Sequence, residues 1–301
     1  MTTITSAALI VNAQSRKGQE QFAAACAAMK GLPFKVDARA VKDPAKLMQT
    51  ARDLLAKGPD LFIIGGGDGT ISGLVDELVG ADAMLGVLPF GTANSFARTL
   101  CIPLDLEGAV AVLRDGAPRR IDLGMIDDDY FANCAAIGIS PLIAETIPNK
   151  LKRVLGRIGY LGWATAQFFR FRPFKLIVEA DGREHRLDAL EVRIANGPYH
   201  GGTWLVDEAA PDTGRIAVQA VTGRAKRYLL RNWAASVVGS EWRGRDVVTF
   251  QGESLRVRTE PPLPISIDGE VLAKTPVTAK IARGIIRVMA PREAAEPGRC
   301  D

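Results

Sequence analysis

Residues Leu61 to Leu78 read LFIIGGGDGTISGLVDEL, an apolar run that enters GGGDGT and continues into a helical pattern. Gly65, Gly66, Gly67 and Gly69 carry no Cβ, so their backbone amides can approach an anion, and the amino terminus of the following helix attracts the same charge. A tight strand-to-helix turn without a ligand would use the glycines. It would need neither the carboxylate of Asp68 nor the hydroxyl of Thr70. A carboxylate beside phosphate repels it unless a divalent cation lies between, so Asp68 points to Mg²⁺, a hard ion that takes oxygen ligands. Phosphoryl transfer uses this equipment, because its catalysis is mostly positioning and charge neutralisation. The GxxxxGKS/T loop of common nucleotide triphosphatases is missing, as are the HRD and DFG sets of protein kinases.

A second stretch, LPFGTANSFAR at Leu88 to Arg98, also follows an apolar run. Pro89 and Gly91 shape a turn, while Thr92 and Asn94 can donate hydrogen bonds to phosphate oxygens or cap the next helix. A third acidic stretch, SIDGE at Ser266 to Glu270, reads by itself as a strand-turn hairpin carrying Asp268 and Glu270.

The elements around these stretches follow from periodicity. Ala7 to Val11, Phe34 to Ala40, Leu61 to Ile64 and Met84 to Leu88 read as strands, mostly apolar throughout. Helical patterns over Gln19 to Lys30, Pro44 to Lys57, Ile71 to Val79 and Leu106 to Arg114 alternate with them. Such alternation predicts an α/β domain built on a parallel sheet covered on both faces, here residues 1–124. Both glycine motifs then leave carboxyl ends of strands, where open α/β sheets bind ligands. After Ile121 the texture becomes short β-rich pieces (YFANCAAIGI, KLIVEA, ALEVRIANG, IAVQAV, SLRVRT, PISIDG). These predict a β-rich, sandwich-like second domain over 125–301, interrupted by helical insertions near Asn149 to Phe169 and Lys226 to Val238.

At 301 residues with 47% hydrophobic content, the chain is long enough for two cores. Cys26, Cys101, Cys134 and Cys300 show no CxxC spacing and the two histidines cannot build a histidine-rich metal site, which suggests reduced thiols and no structural zinc. Neither a signal peptide nor an apolar run of about 18 residues is found, so a cytoplasmic location is expected. A net charge of +4 is too small to argue for nucleic acid as a partner.

Taken together and in order, the motifs resemble the diacylglycerol kinase catalytic domain family, the bacterial soluble lipid kinases related to sphingosine and ceramide kinases. The resemblance extends beyond GGGDGT and LPFGTANSFAR to Asn12 in VNAQSRKG, IDLG at Ile121 to Gly124, ANGPYHGG at Ala195 to Gly202 and DGE at Asp268 to Glu270. It implies ATP held by Asn12, Gly65, Gly66, Gly67, Gly69, Thr70, Gly91, Thr92 and Asn94, in a cleft between the domains where a lipid hydroxyl meets the γ-phosphate. It implies Asp68 as a catalytic Mg²⁺ ligand, Asp122 as a second metal residue, and Glu270 as the base that accepts the hydroxyl proton. That role suits the chemistry, since a lipid hydroxyl has a high pKa. Asp268 is expected to orient the site or the neighbouring backbone.

Three departures qualify the resemblance. Ser95 stands where many members carry Asp, Ala13 stands where many carry Pro, and Thr213-Gly214 replaces an Asp-Gly that goes with a structural Mg²⁺ in some relatives. The competing readings are an NAD kinase-like enzyme, whose family also uses GGDGT, and a nucleotide- or lipid-binding regulator without catalysis. Between Lys150 and Lys175 stand seven Lys or Arg and no acid, interleaved with aromatics, and Arg224 to Arg231 adds a second basic cluster. Each cation near anionic headgroups adds about 1 kcal/mol, so transient contact of a cytoplasmic protein with an anionic membrane surface is expected. The alternative is a helix with a solvated basic face. A homodimer is compatible with the sequence.

Overall fold

The computed structural model describes residues 4–139, 141, 171–223, 246–268 and 270–292. The first half alternates as expected: β1 (Ser6–Asn12), α1 (Arg16–Ala28), β2 (Lys35–Val41), α2 (Leu47–Leu55), β3 (Leu61–Gly66), α3 (Asp68–Val75), β4 (Met84–Pro89), α4 (Ser95–Thr99) and α5 (Leu106–Asp115). Strands pair in parallel in the order β4-β3-β1-β2. Every residue of β3 and β4 is buried, while β2, at the edge, alternates polar side chains outward. Ser15 starts α1 by accepting the Gly18 amide at 3.0 Å, and Asp105 starts α5 by accepting the Gly108 amide at 2.8 Å.

Element boundaries shift by up to four residues from those read in the sequence, and two of the shifts fall at GGGDGT. The strand continues through Gly65 and Gly66, and the helix begins at Asp68, three residues before Ile71. Apolar periodicity fails at both places because glycine and aspartate carry no hydrophobic signal, although the backbone there is already regular.

The second half is antiparallel. Its strands are β5 (Ala117–Ile126), β6 (Asp129–Phe131), β7 (Cys134–Gly138), β8 (Phe174–Ala180), β9 (Arg183–Ala195), β10 (Tyr199–His200), β11 (Thr203–Trp204), β12 (Ile216–Thr222), β13 (Val247–Gly252), β14 (Ser254–Glu260), β15 (Pro264–Ile267), β16 (Glu270–Lys274) and β17 (Val277–Ala290). The expected helical insertions, and nearly all of the basic aromatic stretch with its second cluster, lie outside the described residues.

β17 ties the halves together. It pairs with β14 through Val277 to Lys280, runs antiparallel to β5 as far as Ala290, and meets β4 in parallel at Val288↔Leu85. A single sheet of 15 strands thus runs from β16 to β2, under two large hydrophobic clusters. β5 spans the expected boundary at residue 124 and belongs to the seam. Cys26 and Cys134 are free, whereas Cys101 is disulfide-bonded, which corrects the expectation of fully reduced thiols. Disulfides follow proximity in the fold, which scattered spacing does not reveal.

Candidate active site

The two glycine motifs leave adjacent parallel strands and pack back to back. A Cβ built on Gly91 would lie 2.5 Å from Gly67 Cα, and one on Gly65 would lie 2.8 Å from Val11 Cγ2 and 2.9 Å from the Phe90 ring. Much of the glycine content therefore serves the contact between loops. Gly69 differs: its nearest neighbour on the Cβ side is the Asp268 carbonyl oxygen at 3.8 Å, so its backbone faces the DGE hairpin across open space. The Gly67 carbonyl accepts the Thr70 and Ile71 amides and starts α3 directly after the strand.

Asp68, in the first turn of α3, accepts the Phe96 amide on Oδ1 at 3.0 Å and so caps α4 of the other motif. Among the described residues its second oxygen accepts no hydrogen bond. Asn94 turns inward: 5% exposed and left-handed (φ 49°), it accepts the Gly91 amide at 2.8 Å and donates to the carbonyls of Pro89 and Gly91. These bonds occupy its amide in building the loop, a different task from direct phosphate binding. Ser95 is buried, and its Oγ accepts the Gly202 amide at 3.0 Å, joining the GTAN loop to the glycine corner of ANGPYHGG. Ser95 is thus a clasp between the two halves. Asn12 ends β1, and its Oδ1 accepts the Gln14 amide at 3.3 Å, closing the first loop on itself.

Asp268 sits in the hairpin between β15 and β16 with φ 44°. Its carboxylate accepts amides from Cys134 at 3.0 Å and Ala132 at 3.3 Å, and is hydrogen-bonded to Ser72 of α3. Burial is the largest influence on it and, with the Asp68 charge, pushes its pKa up to about 6 against those hydrogen bonds. It therefore orients backbone, as expected, and bridges both halves. Glu270 opens β16, opposite Ile267 across the hairpin, two residues after the Asp268 whose carbonyl faces Gly69.

A cavity of about 310 Å³ lies where these parts meet, lined by Met48, Gly69, Ser72, Asp76, Tyr130 and Ile267, among others. Burial, then the charges of Asp129 and Glu77, raises the Asp76 pKa. Asp122 is placed elsewhere. Its two carboxylate oxygens accept the amides of Gly214 and Gly284, each at 2.7 Å, and its own amide donates to the Pro211 carbonyl. It pins the Ala209 to Arg215 loop, and the structure does not bring it to GGGDGT by any hydrogen bond. Among the described residues, no group of three or more His, Cys, Asp or Glu forms a ready metal cage. A hard cation at Asp68 would take its remaining ligands from phosphate and water, which suits Mg²⁺.

Sequence reasoning missed Ser72, Asn133 and His200. Asn133 Oδ1 accepts the Thr99 hydroxyl at 3.0 Å, and its Nδ2 donates to the Tyr199 carbonyl. Their places depend on contacts between α3, the start of β7 and β10, elements far apart in sequence, and short antiparallel strands do not declare their register.

The diacylglycerol kinase catalytic domain model matches residues 6–126, and the YegS C-terminal NAD kinase beta sandwich-like domain model matches 134–290. A protein of Chromohalobacter salexigens named probable lipid kinase YegS-like is 28% identical over 253 residues, covering 82% of this chain and 81% of that one. A diacylglycerol kinase of Mycobacterium tuberculosis is 28% identical over 254 residues, covering 80% and 82%. An uncharacterized protein of Synechocystis is 28% identical over 251 residues, and the match spans 56% of that longer protein's length. The crystal structure of a diacylglycerol kinase from Bacillus anthracis superposes with a TM-score of 0.72 at 18% identity, covering 96% of this chain and 98% of that one. At that identity the superposition speaks for the fold.

Proposed function

Since this chain belongs to the diacylglycerol kinase catalytic domain family, we propose that it is an ATP- and Mg²⁺-dependent lipid kinase. It phosphorylates a hydroxyl of diacylglycerol or a related lipid. The observation that carries this reading is the convergence of GGGDGT, GTAN and DGE: Gly69 faces Asp268, and Asp68 caps the helix that follows GTAN. Backbone amides of Gly67 to Gly69, at the start of α3, and the Thr92 hydroxyl bind the phosphates, while Asn12 and Asn94 shape their loops. The cavity beside Gly69 has room to seat part of the nucleoside. Asp68 would hold Mg²⁺ through its remaining carboxylate oxygen, and the ion would supply the charge that neutralises the phosphates. Asp122 organises the Ala209 to Arg215 loop and is not assigned to the metal. Glu270 accepts the proton of the lipid hydroxyl as the oxygen bonds to phosphorus.

The lipid-kinase reading is favoured over an NAD kinase by the YegS-type second domain and by relatives named lipid or diacylglycerol kinase. Among the described residues no helix is long and apolar enough to cross a membrane. A membrane-resident substrate is therefore met from the surface, and we assign that contact to the basic aromatic stretch from Lys150 to Lys175. Sedimentation with anionic and zwitterionic vesicles tests the contact: preference for anionic vesicles supports it and equal binding contradicts it. The activity is tested by incubating the protein with radiolabelled ATP, Mg²⁺ and a panel of diacylglycerol, monoacylglycerol, ceramide, sphingosine and NAD. Labelled lipid is expected. Label on NAD alone would overturn the assignment.

A further inference from the structure

Asp68, Ser95 and His200 converge on the first turn of α4. The Phe96 amide donates to Asp68 Oδ1, and the Gly202 amide donates to Ser95 Oγ, each at 3.0 Å. Gly201 and Gly202, with φ of 60° and 80°, form the corner that turns β10 into β11. A Cβ on Gly202 would lie 3.1 Å from the Ala93 carbonyl oxygen, so the corner rests on the GTAN loop. His200 immediately precedes this corner, paired with Thr203 across it. On its other side the Tyr199 carbonyl is held by Asn133, which in turn is held by Thr99 of α4. The backbone of His200 is thus clamped to α4 from both directions.

The side chain has no such ties. It is half-buried, and among the described residues its imidazole makes no hydrogen bond. The buried polar atoms left without a partner do not include its nitrogens, so the ring is open to water and would exchange that water for a ligand arriving beside Asp68. The charged groups around it are Arg193 and Glu191 of β9 and Asp68 of α3. Arg193 and Glu191 are ion-paired at 2.7 Å and both almost fully buried, so their fields largely cancel. Burial is the main influence and lowers the imidazole pKa. A neutral ring offers one N–H and one acceptor nitrogen.

Resting on the kinase reading above, we propose that His200 is a further catalytic residue, donating its N–H to a non-bridging oxygen of the phosphoryl group in transfer. The phosphorus leaves the oxygen that bridges it to ADP and bonds to the lipid oxygen. The hydroxyl proton passes to the Glu270 carboxylate. His200 itself neither gains nor loses a proton. Its contact strengthens as negative charge spreads over the phosphoryl oxygens, while the clamp on its backbone spares reorganisation.

The test separates this role from the rest of the reading by using ADP, Mg²⁺ and fluoroaluminate, which mimics the transferring phosphoryl group without any lipid. Calorimetry on the full chain should show ADP bound more tightly when fluoroaluminate is present. His200→Ala should lose about tenfold of that gain, while affinity for ADP alone stays within about twofold. His200→Gln, which restores an N–H donor, should recover most of it. Retention of the full gain by His200→Ala, or its loss from His200→Gln equally, overturns the inference while leaving the kinase reading standing. Failure of the wild type to bind ADP with Mg²⁺ sinks both.

Discussion

Asp268 is a carboxyl taken out of water and crowded by Asp68, and its pKa of about 6 has a consequence for stability. An unfolded aspartate titrates near 3.9, so between that value and about 6 the folded state holds more protons than the unfolded one. Its contribution to stability is fully present below pH of about 4 and is lost as pH rises through about 6. Denaturant titrations between those limits should show wild-type stability falling with pH relative to Asp268→Asn, and parallel curves would contradict the assignment. For Asp68→Asn the side chain keeps an oxygen for the Phe96 amide, so the melting temperature should hold. Mg²⁺-dependent turnover should fall by about two orders of magnitude or more, read as kcat against metal concentration. The acids were legible in the sequence because a carboxylate among glycines demands an explanation. The inward turn of Asn94 and the clasp of Ser95 on Gly202 were not, since nothing in a residue's type says which way it faces.

At the scale of elements, the GGG and GTAN loops act as one unit because Gly67 and Gly91 meet backbone to backbone. Gly91→Ala would place Cβ 2.5 Å from Gly67 Cα and 2.7 Å from Asn94 Oδ1. Neither neighbour is free to yield, so a loss of about 1–3 kcal/mol in unfolding free energy is expected, together with weakened nucleotide binding. An unaltered denaturation midpoint would show that the loops are looser than described. A second joint lies at the other end of the sheet, where Asp60 accepts the backbone amides and side-chain hydroxyls of Thr5 and Ser6. The Thr5 amide leads the causes that bring its pKa down to about 2. That contribution is present above pH of about 4 and disappears as pH falls towards 2, the opposite sense to Asp268. Asp60→Ala should therefore destabilise the protein at neutral pH and progressively less in acid, as measured by thermal melts across that range. The strands and helices of the first half were readable because buried parallel strands form continuous apolar runs. The ends at GGGDGT were not, because regular backbone there carries no apolar side chain.

The molecule as a whole is built so that two different textures share one sheet. Two domains were legible from the shift in pattern near Ile121, but the return of β17 to pair with β5 and β4 was not. Its 14 residues mix buried and exposed positions without clean alternation, and a pairing with strands more than 150 residues earlier leaves no local signal. Because β17 completes both halves, heating should give one cooperative transition by calorimetry, with two resolved peaks contradicting the shared seam. The same construction holds the DGE hairpin against α3 and gathers motifs spread along the chain at the proposed phosphoryl-transfer site. Transfer of radiolabelled phosphate from ATP to diacylglycerol in mixed vesicles, by wild type and Glu270→Gln side by side, tests that claim most directly. Mg²⁺-dependent labelling of the lipid by the wild type, lowered by about two orders of magnitude in the variant, is the predicted result. Labelling that survives undiminished in Glu270→Gln, or that is absent from the lipid in the wild type, would contradict it.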